Sequence, residues 1–369
     1  MKKILIIFAP ISQVHLVERL RNEMRQKGFD IDAFNSNNWQ SIDGKVYLPG
    51  IYRNIRPLLA YRITRAIIMR TMLKCLLLKL SSEYDLVDVH FFAREYIGLL
   101  NKLKKPFKIS VWGSDFYRMS CAESDGKRLC FERAKLIQCE TPTVRKDLIK
   151  YQPSLEGKIR VCNFGIDIID DIDRIDKHGW TKAYPNKVVI TCGYNGSVGQ
   201  QHLKMIEAIQ KLPTELKNRI IAYFPLTYGL TASYRSRLTE ALATVDYEYK
   251  LFEKRLTDEE LAMLRLETDI ALNVQITDSL SSSLLQHLYA GSVVLVGDWL
   301  PYEIYDENGI FYKSTSLQSI STKLIDCIKH IDEYKAETKN NREIIRQLSA
   351  WNEVAKKQAN IYQELIEIA

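Results

Sequence analysis

Two short stretches carry residues suited to holding a phosphorylated ligand. "TCGYNGSVGQQHL", residues 191–203, sets Gly193, Gly196 and Gly199 between the β-branched run Val188-Val189-Ile190-Thr191 and a helix-like segment beginning near Leu203. A strand-to-helix junction offers free N–H groups and the positive end of a helix dipole, and glycines let an anion approach the backbone. Tyr194, Asn195, Ser197, Gln201 and His202 add polar side chains to the same turn. It also reads as a plain flexible loop, for it matches neither G-x-x-x-x-G-K-[ST] nor G-x-G-x-x-G. The second stretch, "NVQITDSLSSSLLQHLYAG", residues 273–291, places Asp278, Ser281, Ser282 and Ser283 ahead of an apolar helix. Hydroxyls and N–H groups there would grip a second face of a diphosphate, and Gln286 would reach sugar hydroxyls. Ser283-Leu284-Leu285-Gln286 is equally a capping box, which needs no ligand.

Two further candidates lie in the first half. His90 ends the strand-like Leu86–Val89, at a carboxyl edge where doubly wound sheets bind ligands. Asp115, after Gly113 in "VWGSD", suits a residue that orients an acceptor hydroxyl or acts as a base. A structural histidine and a turn-forming aspartate are the alternatives.

Hydrophobic periodicity supplies the elements that position these residues. Strands are expected at 3–8, 31–34, 86–92 and 107–112, with a helix over Val14–Lys27 that stops at Gly28. After the polar region 167–187, strand-like runs recur at 187–192, 219–224, 247–252, 269–274 and 293–297, with helix-like runs between them. Such β-α alternation marks doubly wound parallel sheets. The expected organisation is a Rossmann-like domain over 1–166, a linker over 167–186, a second Rossmann-like domain over 187–340 and closing helices over 341–369.

The 369 residues suffice for two such domains. Residues 1–170 hold 29 lysines and arginines against 18 acids, a net of +11, and the remainder carries −4. A basic half and a mildly acidic half suggest different partners. Seven scattered cysteines without a C-x-x-C pair fit reduced thiols of a cytoplasmic protein. The opening MKKILIIFAP fits a first buried strand better than a signal peptide, and no apolar run reaches 18 residues. No D-x-D stands in a fitting context, so no metal and no cofactor is expected. No reader motif supports nucleic-acid binding.

The stretch from Asp278 through Gln286 to Tyr289-Ala290-Gly291 resembles the donor signature of family-4-like glycosyltransferases of the GT-B fold. That pattern has an acidic residue, a small-residue loop, a glutamate eight positions on and then A-x-x-G or A-x-G. Here Gln286 replaces the glutamate, which removes a charged group. "IRVCNFGID" is similar to the family's hinge, "LFEKRLTDEELAMLRLETDIALNV" to its base-contact segment with Leu251 and Phe252, and "LSAWNEVAKKQANIYQELI" to its closing helix. Locally, "GYNGSVGQQH" and "FPLTYGLTASYRSRL", which contains Tyr228 and Tyr234, resemble bacterial 4-acetamido-4,6-dideoxygalactose transferases. The resemblance implies two Rossmann-like domains facing a cleft, with the last helix crossing back to the first. It implies transfer of a sugar from a nucleotide-sugar to a lipid-linked saccharide acceptor in cell-surface polysaccharide synthesis, without a metal and with retention. Family members carry Arg and Lys around the diphosphate, yet none lies between Val188 and Leu203.

From Lys45 to Lys79 there are eight Lys/Arg and no acid. Arg62, Arg65, Arg70 and Lys74 interleave with Ile63, Ile67, Met72 and Leu76, as in a basic amphipathic helix lying on an anionic membrane surface. A core helix with snorkelling arginines has the same pattern. The expected location is therefore the inner face of the plasma membrane. Two other functions share these features: a sugar-nucleotide 2-epimerase of the same fold, and a non-catalytic membrane-surface binder.

Overall fold

The computed structural model describes residues 2–9, 14–45, 62–278 and 280–369, without the side chains of residues 62–66, 69 and 122. The chain divides into two units, Met1–Gly165 with Trp351–Ala369, and Ile166–Ala350.

Unit 1 holds β1 (Lys3–Phe8), β2 (Asp30–Asn35), β3 (Gln40–Ser41), β4 (Leu86–His90), β5 (Phe107–Val111), β6 (Leu136–Cys139) and β7 (Ile159–Val161). They form one sheet in the order β3-β2-β1-β4-β5-β6-β7, parallel except for the β2–β3 pair. Alternation along β1 splits the core: Leu5 and Ile7 pack on one face, and Ile4, Ile6 and Phe8 on the other. The second face is covered by helix Val14–Gln26 and by helix Trp351–Glu367, whose Trp351, Val354, Ala355, Ile361, Tyr362 and Leu365 are buried there. The closing helix thus returns to unit 1, as expected. Gly165 allows this return, since a Cβ on it would lie 2.4 Å from the Trp351 indole.

Unit 2 holds β8 (Val188–Cys192), β9 (Ile220–Pro225), β10 (Glu248–Phe252), β11 (Ile270–Asn273), β12 (Val293–Gly297) and β13 (Lys313–Thr315). Its sheet is parallel throughout, in the order β10-β9-β8-β11-β12-β13. Ile270 and Leu272 face one apolar layer and Ala271 the other; Val293 and Leu295 alternate with Val294 and Val296 in the same way.

Three differences from the sequence reading have clear causes. Residues 167–186 are not a linker: helix Ile169–Lys177 buries Ile169, Ile172 and Ile175, a stripe at three-residue spacing, in the core of unit 2. The chain changes unit at Gly165/Ile166 and at Ala350/Trp351. The short strands β3, β6 and β13 had no periodic signal, because two to four residues are too few to show one.

Helix Arg62–Ser81 buries Leu73, Leu77 and Leu80 against the unit 1 core and presents Arg70, Thr71, Cys75 and Lys79 outward. Ile67 is 61% exposed and Lys74 half-buried. The side chains of Arg62 and Arg65 and the whole of residues 46–61, which carry the rest of the basic stretch, lie outside the described residues. Among the described residues no helix is long and apolar enough to cross a membrane.

Candidate functional site

Unit 2 reverses its strand order between β8 and β11. In a doubly wound sheet the loops leaving such a pair diverge and open a crevice at the carboxyl edge. Both stretches singled out in the sequence leave from this pair, the glycine turn after β8 and the Asp278 loop after β11.

The glycine turn is held largely by its own chain. Gly193 N–H donates to Leu272 O (3.1 Å), Gly196 N–H to Tyr228 O (2.7 Å), Gln200 N–H to Ser197 O and Gln201 N–H to Val198 O. Tyr194 N–H donates to Gln200 Oε1, Ser197 N–H to Asn195 Oδ1 (2.8 Å) and Gly199 N–H to Ser197 Oγ. Within 193–201 the N–H groups of Asn195 and Val198 have no acceptor among the described residues, and the others are engaged. The expectation of a wide cradle of free amides is therefore corrected: short polar side chains satisfy the turn's backbone locally. Straps to the β11 loop complete the closure, from Gln201 Nε2 to Val274 O (2.6 Å), Gln200 Nε2 to Gln275 Oε1 (2.8 Å) and Ile276 N–H to Gly199 O.

Packing explains two of the three glycines. Gly193 has φ +67°, a conformation that favours glycine. A Cβ on Gly196 would lie 2.5 Å from Leu230 Cβ and 3.0 Å from its Cα, so Gly196 admits the loop after β9. A Cβ on Gly199 would meet nothing nearer than Ser197 Oγ at 3.6 Å. Gln201 holds a left-handed φ of 62° at the entrance of helix His202–Gln210. His202 is fully buried, near the rings of Phe224 and Tyr234, and burial pushes its pKa down to about 4. It supplies no positive charge at neutral pH. The amides of His202 and Leu203 are directed at the Tyr234 hydroxyl, which closes the helix N-terminus from within.

The residues facing the crevice come from several loops. Tyr228 is 60% exposed, and its hydroxyl accepts from Asn195 Nδ2. The Tyr194 hydroxyl lies near Gln200 and Ser281 and within electrostatic range of Asp278 and Tyr228. Asp278 accepts from the Tyr302 hydroxyl, which in turn accepts from Asn273 Nδ2. Ser281 is the N-cap of helix Ser282–Ala290 and accepts from Leu284 N–H. The capping box expected from Ser283 to Gln286 does not form, because both side chains are turned to another partner. Ser282 is exposed. Leu251 and Phe252 end β10 at the same carboxyl edge, Leu251 exposed and Phe252 packed on Tyr223. A cavity of about 360 Å³ lined by Asp298, Tyr302, Glu303, Asp306 and Tyr312 lies beyond β12.

The other partner is Arg265, on helix Asp258–Glu267. Its guanidinium, 3% exposed, donates from Nε to Gln286 Oε1 (3.1 Å), from one terminal nitrogen to His287 Nε2 (2.8 Å) and from the other to Ser283 Oγ (2.9 Å). His287 Nδ1 faces Ser292 Oγ, so the neutral ring donates there and accepts from Arg265. Burial, reinforced by Arg265, holds the His287 pKa far below its usual value. Desolvation pushes the Arg265 pKa down to about 9, still charged at neutral pH. Sequence reasoning missed this residue, although a signal existed: an arginine three places after the fully buried Ala262, on the apolar side of a helix.

In unit 1, His90 ends β4 opposite Phe8, at that sheet's own reversal between β1 and β4. It is fully buried and donates from Nε2 to Asp88 (3.0 Å); among the described residues its Nδ1 has no partner. Trp112 and Phe164 flank the ring. Asp88 also accepts from Lys108 (2.9 Å), Ser110 (3.0 Å) and the Tyr362 hydroxyl of the closing helix (2.7 Å). Burial opposes the charges on this cluster: it lowers the His90 pKa, while His90 and Lys108 hold the Asp88 carboxyl below its usual range. Asp115 is also buried, and its two oxygens accept from Phe92 N–H (2.7 Å) and Trp112 N–H (2.9 Å). Burial raises its pKa. A general base needs an oxygen directed at substrate. Here both oxygens tie the loops after β4 and β5 together. Phe91, between the two, has a left-handed φ of 58°.

No family model and no curated protein matches this sequence. Solved structures match it in shape. Anabaena HepE in complex with UDP superposes with a TM-score of 0.71 at 12% identity, over 98% of this chain and 99% of that one. The fold is GT-B. A glycosyltransferase from Rickettsia africae gives 0.73 at 12% identity, over the whole of both chains. The α,α-trehalose 6-phosphate synthase of Burkholderia multivorans gives 0.72 at 10%, over 100% of this chain and 97% of that one. HepE is also solved with UDP-glucose. Identities this low establish a shared fold.

Proposed function

We propose that this protein is a glycosyltransferase whose second unit binds a nucleotide-sugar donor. The observation that carries the reading is the convergence at the β8/β11 reversal. Tyr194, Tyr228, Asp278, Ser281, Ser283 and Gln286 gather there, in a fold shared with UDP-binding HepE. In the reaction, the bond between the anomeric carbon and the diphosphate oxygen breaks. An acceptor hydroxyl forms the new C–O bond and loses its proton. Charge grows on the diphosphate as it leaves, so fixed donors and positive charge near it lower the barrier. The polar side chains of the Asp278 loop and helix Ser282–Ala290 suit that task, with Leu251 and Phe252 toward the base.

The finer reading is transfer to a lipid-linked saccharide in polysaccharide synthesis, with retention and without a metal, at the inner membrane face. Its support is the local likeness to 4-acetamido-4,6-dideoxygalactose transferases and the outward Arg70 and Lys79 beside Ile67. His90 and Asp115 position the loops at the carboxyl edge of unit 1 in this reading.

The deciding experiment is calorimetry and thermal shift of the full chain with UDP, GDP, dTDP, ADP and their sugars. One of these nucleotides binding with a micromolar Kd is expected; a folded protein that binds none of them sinks the reading. Sedimentation with anionic and neutral vesicles tests the membrane role. Arg70→Glu with Lys79→Glu should weaken pelleting with anionic vesicles only.

A further inference from the structure

Among the described residues five cationic side chains are buried: Arg21, Lys108, Lys127, Lys217 and Arg265. Four have a carboxylate at hand. Arg21 holds Asp43 (2.7 Å), Lys108 holds Asp88 (2.9 Å), Lys217 holds Asp246 (2.6 Å), and Lys127 lies in the field of Asp115. Arg265 has only neutral partners, Gln286, His287 and Ser283. A buried charge without a counter-ion is strongly unfavourable unless a ligand completes it.

We infer that Arg265 is the counter-charge for the diphosphate of the donor, supplied from the helix behind the site in place of the glycine turn. This rests on the nucleotide-sugar reading above. Three observations carry it. Ser283 and His287, which hold the guanidinium, line a recess of about 10 Å³, the size of a single water, at the β8/β11 reversal together with Gly193, Tyr194 and Asn273, so the guanidinium stands one side chain behind that edge. The guanidinium has five N–H groups, and its neighbours engage three. Each neighbour fixes its orientation without cancelling its charge. Gln286 matters most here: a carboxylate at that position would form an ion pair with Arg265 Nε and neutralise it. The glutamine keeps the cation uncompensated for an anion that arrives from outside. With most turn amides spent internally and no Lys or Arg between Val188 and Leu203, no other buried positive charge is placed at this edge.

The test compares diphosphate and nucleoside on three proteins. Calorimetry is run with UDP, GDP, dTDP and ADP, with the matching nucleosides and with inorganic pyrophosphate, on the wild type, Arg265→Gln and Gln286→Glu. The wild type is expected to bind one nucleoside diphosphate at least tenfold more tightly than its nucleoside. Both variants should lose that tenfold increment, read within each protein as the ratio of its nucleoside-diphosphate affinity to its nucleoside affinity. Should Arg265→Gln fail to fold, Gln286→Glu decides, since it adds an internal partner and removes no contact to Arg265. Variants that retain the wild-type increment overturn the role of Arg265 and leave the donor reading standing. Pyrophosphate binding equal to that of the best nucleotide makes the site one for free phosphates and overturns the inference as stated. A wild type that binds no nucleotide removes the reading on which it rests.

Discussion

Each unit buries a cluster of charged and polar side chains beside its sheet, and the two clusters are built on opposite plans. In unit 1, Lys108 and Asp88 cancel, His90 is neutral, and Ser110, Gln138 and Tyr362 take the remaining hydrogen bonds. That network is electrically balanced, and it ties the closing helix to β4. In unit 2, Arg265 stands among neutral acceptors with one charge left over. A balanced buried pair has nothing further to bind, whereas an unbalanced one keeps an electrostatic demand that only a ligand can meet. Burial alone therefore does not separate structural charge from functional charge; the count of opposing charges does.

The sharpest way to break the comparison is to delete the cation from each cluster. Lys108→Met strands the Asp88 carboxylate and should cost about 3–5 kcal/mol in urea unfolding. Arg265→Met strands only neutral acceptors while removing a desolvated charge, and should cost no more than about 1–2 kcal/mol. Equal losses would erase the distinction.

Acid probes the buried histidines of both units. The folded pKa of His202, about 4, lies below its ordinary value of 6.5. The unfolded chain then takes up its proton first as the pH falls. The stability tied to His202 is fully present above pH 6.5 and is lost toward pH 4, amounting to about 3 kcal/mol. The wild type should show this loss in denaturation curves at pH 7 and pH 4.5, and His202→Gln a smaller one. By nuclear magnetic resonance His287 should stay neutral to lower pH than His90, since Arg265 opposes its protonation and Asp88 favours that of His90. The reverse order would contradict the two charge environments.

Two glycines test whether the turn is a packed or an open structure. Gly196→Ala forces a methyl onto the Leu230 backbone and should cost about 1–3 kcal/mol. Gly199→Ala meets no close atom and should stay within about 0.5 kcal/mol. Similar values for the two would show that the turn yields freely. A modest gain is expected from Gln286→Glu, which gives unit 2 the counter-ion that unit 1 already has. It should raise stability by about 1 kcal/mol through a charge-assisted bond, read as a higher thermal midpoint, and a lower midpoint would count against a free charge on Arg265.

Much of the fold was legible because its signals are local. Apolar runs such as Lys3–Phe8 and Val293–Gly297 became strands with the expected bounds, and the stripe from Val17 to Met24 became a buried helix face. The helix Ile169–Lys177 was missed, because its acidic residues masked isoleucines at helical spacing. Within the site, the carboxyl-edge placement of the glycine turn and the Asp278 loop followed from strand order. The partners did not. Asp88 and Lys108 stood out only as charges inside apolar strands, and Arg265 as a charge on an apolar helix side.

By itself the sequence determined the alternation of strands and helices, the two-unit plan and the positions of the polar loops, since each depends on residues close along the chain. Tertiary structure alone decided which amides remain open, which histidines are neutral and which buried cation lacks a counter-ion. Those properties depend on what a side chain meets after folding. Arg265 and Gln286 lie 21 positions apart in sequence, and Asp88 and Tyr362 are separated by 274. Only packing brings them within hydrogen-bond reach, in surroundings where water no longer screens their charge.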